Sequence, residues 1–182
     1  MSEGAGGGPE LSLRDATPDD YPAAVAVLLA AYDEYRPAVP TDLWQGYAKD
    51  IANVAGRAAT STLILAERDG VLVGAVTFAP GISVYPPAGG GDHWPETHAS
   101  LRLLAVSPDA RGGGVARVLM TECIHRARAL GRTHLGLHTT QLMQIAKQMY
   151  QRMGFQRVPS QDLHSGPMTI EAYELDLRTL SV

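Results

Sequence analysis

The chain has 182 residues, 45% hydrophobic and 19% charged, with a formal net charge of -4. That balance suits a globular domain with a sizeable core, and it excludes a disordered chain, a membrane-spanning helix and, since no basic run is present, a nucleic-acid binder. The single cysteine, Cys123, rules out an internal disulfide and a multi-cysteine metal site, and the lack of a leader pattern points to the cytoplasm.

Residues 1–10 are glycine-rich and read as a flexible lead-in to one domain over 11–182. Residues 11–16 alternate as a first strand. Thr17-Pro18-Asp19-Asp20 has the make-up of a helix start, and Val25, Leu28, Leu29 and Tyr32 form one face of the helix that follows. A second helix carries Leu43, Trp44, Tyr47, Ile51, Val54 and Ala58 at helical spacing. Residues 62–66 and 71–79 flank Arg68-Asp69-Gly70 as a hairpin. Residues 81–95 hold too many glycines and prolines for a regular element and form a long loop.

A strand over 99–106 then runs into Gly112-Gly113-Gly114 and a helix that reaches about residue 130 and ends at Gly131. Cys123 falls in its apolar series with Val115, Leu119 and Ala127, so it reads as a packed core thiol. A strand over 134–139, a helix over 143–153 closed by Gly154, and strands over 155–158 and 172–177 complete an α/β order.

The glycine junction is built to hold a phosphate. A helix start offers unpaired N–H groups and the positive dipole end, and glycines let an anion approach that backbone. It is no P-loop, because the only lysines, Lys49 and Lys147, do not follow a glycine. It is also a poor dinucleotide fingerprint, because Arg117 stands where the third glycine belongs.

What fits is Arg-x-x-Gly-x-Gly/Ala, here Arg111, Gly114 and Ala116, preceded by Leu104-Ala105-Val106 and followed one helix later by Ala146-x-x-x-Tyr150-x-x-x-Gly154-Phe155. The two motifs, in this order and spacing, resemble the GCN5-related N-acetyltransferase (GNAT) superfamily. The resemblance implies a mixed, mostly antiparallel sheet flanked by helices and splayed at an acyl-CoA site. It implies that Arg111, Gly112, Gly113, Gly114, Val115, Ala116 and Arg117 receive the pyrophosphate of acetyl-CoA, while Leu104, Ala105 and Val106 pair with its pantetheine arm. It further implies Val106 N–H as an oxyanion contact and Tyr150 as general acid toward the leaving thiolate.

The sequence departs from the family pattern at two places. Many relatives carry a glutamate base eleven residues before the loop's Arg/Gln, which here is Ser100, so the base is sought at His98, with Glu96 and His93 as weaker candidates. His98, Ser100 and Arg102 alternate with Ala99, Leu101 and Leu103 and so are expected on one strand face. Many relatives also carry an asparagine where this chain has Met143, leaving Thr139 or Thr140 to supply a cofactor hydrogen bond. His134 and His138 lack a third ligand and are not read as a metal site. Asp33, Glu34, Tyr35 and Arg36 lie where the family builds part of its acceptor pocket.

The expected activity is transfer of acetyl from acetyl-CoA, with no metal, to a small-molecule or peptide amine by direct attack. Two alternatives stay open, a noncatalytic acyl-CoA-binding or regulatory domain and a different phosphate-ligand enzyme; homodimerisation is open as well.

Overall fold

The computed structural model describes residues 10–81, 94–166 and 168–180. The glycine-rich lead-in, most of the long loop and the candidate His93 lie outside the described residues. Eight strands make one sheet in the order β1-β2-β3-β4-β5-β8-β6, with β7 paired to β8. They are β1 (Leu11–Asp15), β2 (Thr62–Arg68), β3 (Val71–Ala79), β4 (His98–Val106), β5 (His134–Thr140), β6 (Gln156–Arg157), β7 (Leu163–Ser165) and β8 (Met168–Asp176). The helices are α1 (Tyr21–Tyr32), α2 (Thr41–Ala52), α3 (Val54–Arg57), α4 (Val115–Ala129) and α5 (Gln144–Arg152).

The β4–β5 pairing is parallel and the other pairings are antiparallel. A parallel neighbour requires a crossover, and α4 supplies it. On one face, Ile64, Val76, Leu101, Leu135 and Tyr173 pack with Leu119 and Cys123 of α4 and Tyr150 of α5. On the other, Leu63, Leu65, Ala75, Leu103 and Ala105 pack with Ala24, Leu28 and Ala31 of α1 and with Trp44 and Ile51 of α2. The small residues of α1 bring its backbone close to the sheet. Gly74 does the same for α4, since a Cβ there would stand 2.9 Å from both Val115 Cγ1 and the Ala105 carbonyl.

Two irregularities of β4 shape the site. Ala75 pairs with Ala105 but Thr77 pairs with Arg102, so one surplus residue bulges from β4, and Leu103 sits there at φ +52°. A left-handed leucine costs on the order of 1–3 kcal/mol and persists only where the surroundings demand it. The bulge reverses the strand's parity: Ala99 and Leu101 face α4, whereas Leu103 and Ala105 face α1 and α2. The alternation expected to set Leu103 beside Leu101 therefore fails at the bulge. The second irregularity is a parting of strands. Pairing of β4 with β5 runs from His98↔His134 to Leu101↔Leu137 and stops, although β4 continues to Val106 and β5 to Thr140.

Other departures from the sequence reading are local. The second helix breaks at Asn53, whose side chain instead caps α3 by accepting from Gly56 N–H at 3.1 Å. Residues 33–38 form a 3-10 helix, and β7 makes an unexpected hairpin with β8.

Candidate functional site

The loop between β4 and α4 has the geometry of an anion cradle. Gly112 and Gly114 adopt φ +78° and +77°, and a Cβ added to either meets nothing within 4 Å, so the backbone faces open space. The Val118 N–H bonds to the Gly114 carbonyl at 3.1 Å, which leaves the N–H groups of Val115, Ala116 and Arg117 ahead of the first helical bond of α4. These donors stand at the positive end of a 15-residue helix. Arg111 is turned toward α1, pairing with Glu34 at 2.9 Å and donating to the Ala31 carbonyl at 3.1 Å. Its guanidinium holds the Glu34 carboxyl below the usual value.

A second guanidinium at the loop escaped the sequence reading. Arg68, at the end of β2, donates to the Gly113 carbonyl at 3.2 Å, and a Cβ on Gly113 would stand 2.6 Å from its nitrogen. No local motif marks Arg68, because sheet register and the β2–β3 hairpin bring it to the loop.

From the loop, the open edge of β4 leads into the parted sheet. The Ser107 N–H bonds to the Val73 carbonyl at 2.8 Å on the β3 side. Strand alternation then turns Ala105 toward β3, and Leu104 and Val106 toward the edge where the β5 ladder has ended. The Leu104 carbonyl on that edge accepts from the Tyr32 hydroxyl at 3.2 Å. Tyr150 lies buried on α5 with its ring 5.8 Å from that of Phe155, and burial raises its phenol well above the ordinary value. Thr139 is buried and donates to Met143 Sδ at 3.5 Å. Met143 itself packs toward the core formed by α1 and α2.

The face of β4 toward α1 and α2 is polar and aromatic. The rings of Tyr32, Tyr35, Trp44 and Tyr47 meet edge to face at 5.7–6.2 Å. Arg102 donates to Asp50 at 2.8 Å, and buried Arg57 donates to the Ile51 carbonyl at 2.9 Å. Ser100, only 1% exposed, has no partner for its hydroxyl among the described residues.

His98 is in the paired stretch of β4, stacked between Trp94 at 5.3 Å and His134 at 4.6 Å. Its Nε2 lies 3.1 Å from Glu174 and its Nδ1 3.2 Å from the Thr97 hydroxyl. Burial, aided by His134, outweighs the opposing pull of Glu174 and lowers its pKa. The imidazole is therefore already engaged at both nitrogens, away from the parted edge. Glu96 is exposed, its carbonyl receiving Arg132. Cys123 is buried in the core, and desolvation pushes its thiol up to about 12, which suits an inert thiol. Among the described residues, no group of three or more His, Cys, Asp and Glu side chains is placed to hold a metal, and no helix is long and apolar enough to cross a membrane.

A family model described as the acetyltransferase (GNAT) family matches residues 21–155. A comparison with curated protein sequences gives no match. Among solved structures, the chain is similar to the PaiA N-acetyltransferase of Thermoplasma acidophilum in complex with coenzyme A, at TM-score 0.69 and 12% identity, covering 91% of this chain and 99% of that one. It is similar to a GNAT-family acetyltransferase of Staphylococcus aureus at TM-score 0.68 and 14% identity, covering 92% and 99%. A Corynebacterium glutamicum structure described as histone acetyltransferase HPA2 and related acetyltransferase aligns at TM-score 0.67 and 23% identity, covering 94% and 99%.

Proposed function

The chain belongs to the acetyltransferase (GNAT) family, and from that premise we propose that it transfers acetyl from acetyl-CoA to a primary amine of a small molecule or peptide by direct attack on the thioester. The observation that carries this reading is the continuity of the open glycine loop with the free edge of β4. An extended arm attached to an anion on the loop would run along Leu104 and Val106, where β5 no longer pairs with β4. The coenzyme A bound to the Thermoplasma relative has that form, a pyrophosphate bearing a thiol-ended arm.

Gly112 to Arg117 receive the pyrophosphate, while Arg68 holds the loop at Gly113. Val106, nearer the loop, takes an amide of the arm, and Leu104, farther from it, meets the acyl end. The Leu104 N–H is thus the better placed oxyanion donor, one alternation deeper than the Val106 N–H to which the resemblance assigned that role. Attack by the neutral amine forms the C–N bond, and collapse of the oxyanion breaks the C–S bond and sends its electron pair to sulfur. Tyr150, with its phenol raised by burial, stays protonated and is a weaker acid than an ordinary thiol near 8.5. Its hydroxyl therefore serves by hydrogen bonding to the developing thiolate, with any proton transfer concerted with C–S cleavage.

The test is incubation of the protein with acetyl-CoA and a panel of primary amines, following free thiol and, by mass spectrometry, acetylated amine. Stoichiometric appearance of both supports transfer. Binding of CoA without thiol release from any amine would leave a binding domain instead, the alternative that Ser100 keeps open.

A further inference from the structure

On the footing of that reading, we propose that Glu34 is a positioning residue for acetyl-CoA: it holds Arg111 as a stand-in anion, and the arriving pyrophosphate takes the guanidinium from it. Nη1 of Arg111 donates to Glu34 Oε2 at 3.0 Å and Nη2 lies 2.9 Å from Oε1, a two-point grip on the carboxylate. The same Nη2 donates at 3.1 Å to the carbonyl of Ala31, in the last turn of α1, where the helix dipole favours a cation. Arg111 immediately precedes Gly112, so the cation that opens the loop is committed to α1 and the residues just after it.

The grip is of a kind that exchanges. Both side chains are partly open to water, Arg111 at 40% and Glu34 at 44%, and an ion pair so exposed adds little to stability. A pyrophosphate offers Arg111 the same forked acceptor with more charge, and it gains the loop N–H donors as well. Glu34 gives up little in return. Arg111 is the main cause of its lowered carboxyl pKa, burial opposes the shift, and a hydrogen bond from the Tyr35 hydroxyl adds to it, so the released carboxylate keeps a donor and faces solvent. The neighbouring charges are engaged elsewhere, Arg36 with Asp33 at 3.7 Å and Arg68 with the Gly113 carbonyl. The exchange also adjoins the acyl end. Tyr32 follows Ala31, its hydroxyl donates to the Leu104 carbonyl at 3.2 Å, and its ring meets that of Tyr35 at 6.2 Å. One short stretch, Ala31 to Tyr35, thus touches both the anion loop and the open edge of β4.

The experiment is calorimetric titration of CoA into wild type, Glu34→Gln, Glu34→Asp, Arg111→Gln and the Glu34→Gln/Arg111→Gln double variant, at low and high salt, with a melting curve for each. Glu34→Gln should bind CoA about 2- to 5-fold more tightly than wild type at low salt, because the competing anion is gone, and the gain should shrink at high salt. Glu34→Asp keeps the charge and should give back most of that gain. Arg111→Gln should weaken CoA, and adding Glu34→Gln in that background should change nothing further. A merely structural Glu34 would lower the affinity when replaced. Unchanged or weaker CoA binding by Glu34→Gln therefore overturns the proposal. So does a gain of the same size in the Arg111→Gln background, which would make Glu34 a general negative charge near the loop. Either result leaves the transferase reading standing, because thiol release with the amine panel decides that. Absence of CoA binding to wild type removes the loop assignment, and the exchange and the transferase reading fall together.

Discussion

The two sides of β4 are constructed differently. Toward the loop, one contiguous segment from Leu104 to Arg117 supplies the strand edge, the glycines and the helix start. Toward α1 and α2, the surface is assembled from Tyr32 at the end of α1 and Tyr35 just beyond it, Tyr47 and Asp50 on α2, Ser100 and Arg102 on β4, and His138 on β5 with Gln161 behind it. A site made by one segment survives as a motif, because its geometry is local. A site made by five segments depends on register, and its specificity can change without disturbing the motif.

The largest expected effect falls on the local side. Gly114→Val should weaken CoA binding more than about 100-fold, since the added side chain projects into the space the pyrophosphate requires, and should also destabilise the fold by about 1–3 kcal/mol because valine resists φ +77°. Calorimetric titration and a melting curve separate the two effects, and unaltered CoA affinity would break the assignment of the loop. Tyr150→Phe should come next, lowering kcat about 10- to 100-fold while the KM for acetyl-CoA holds, the modest end for a hydroxyl that donates without surrendering its proton. A loss of binding instead of turnover would move Tyr150 from the reaction to the packing.

Smaller still is Arg68→Gln, which should weaken CoA only about 3- to 10-fold, as expected of a partly exposed side chain that steadies the loop through one hydrogen bond of about 0.5–1.5 kcal/mol. The least effect concerns the paired end of β4. His98 has a lowered pKa in the folded chain, so the unfolded chain binds its proton first as pH falls. Its contribution to stability is complete above about pH 6.5 and is lost as pH falls from there through the lower folded value. Melting temperature should decline over that window in the wild type and less in His98→Gln; identical slopes would show that His98 titrates as freely as in the unfolded chain.

The same contrast governs what could be read from the sequence. The strands and helices around the loop are legible because each is long, periodic and punctuated by glycine, as α4 is between Gly114 and Gly131. The bulge is illegible because Leu103 is an ordinary apolar residue in an ordinary apolar run, and only pairing with β3 reveals the extra position. Asn53 hides a helix break within continuous apolar spacing, since a capping side chain leaves the hydrophobic period intact. β7 is three residues long and follows a proline-bearing turn, too short for alternation to register. In sequence His138 reads only as a strand-face companion of His134, because its partner Gln161 lies 23 residues away at the end of a short 3-10 helix. Arg68 is hidden for the same reason, being 45 residues from Gly113.

The parting of β4 from β5 has a mechanical consequence. The β1–β4 half of the sheet and the half containing β5 and β8 are joined along only the four registered positions from His98↔His134 to Leu101↔Leu137, with α4 as the covalent strap. A bound arm lying along Leu104 and Val106 would act as a suture through the seam, lending the sheet a strand that the polypeptide does not encode. Amide deuterium uptake at those two residues should then slow on binding, and the melting point should climb with the logarithm of ligand concentration above its dissociation constant. A substrate bound in that way would be a removable piece of the architecture, and turnover would alternately stitch and unpick the sheet.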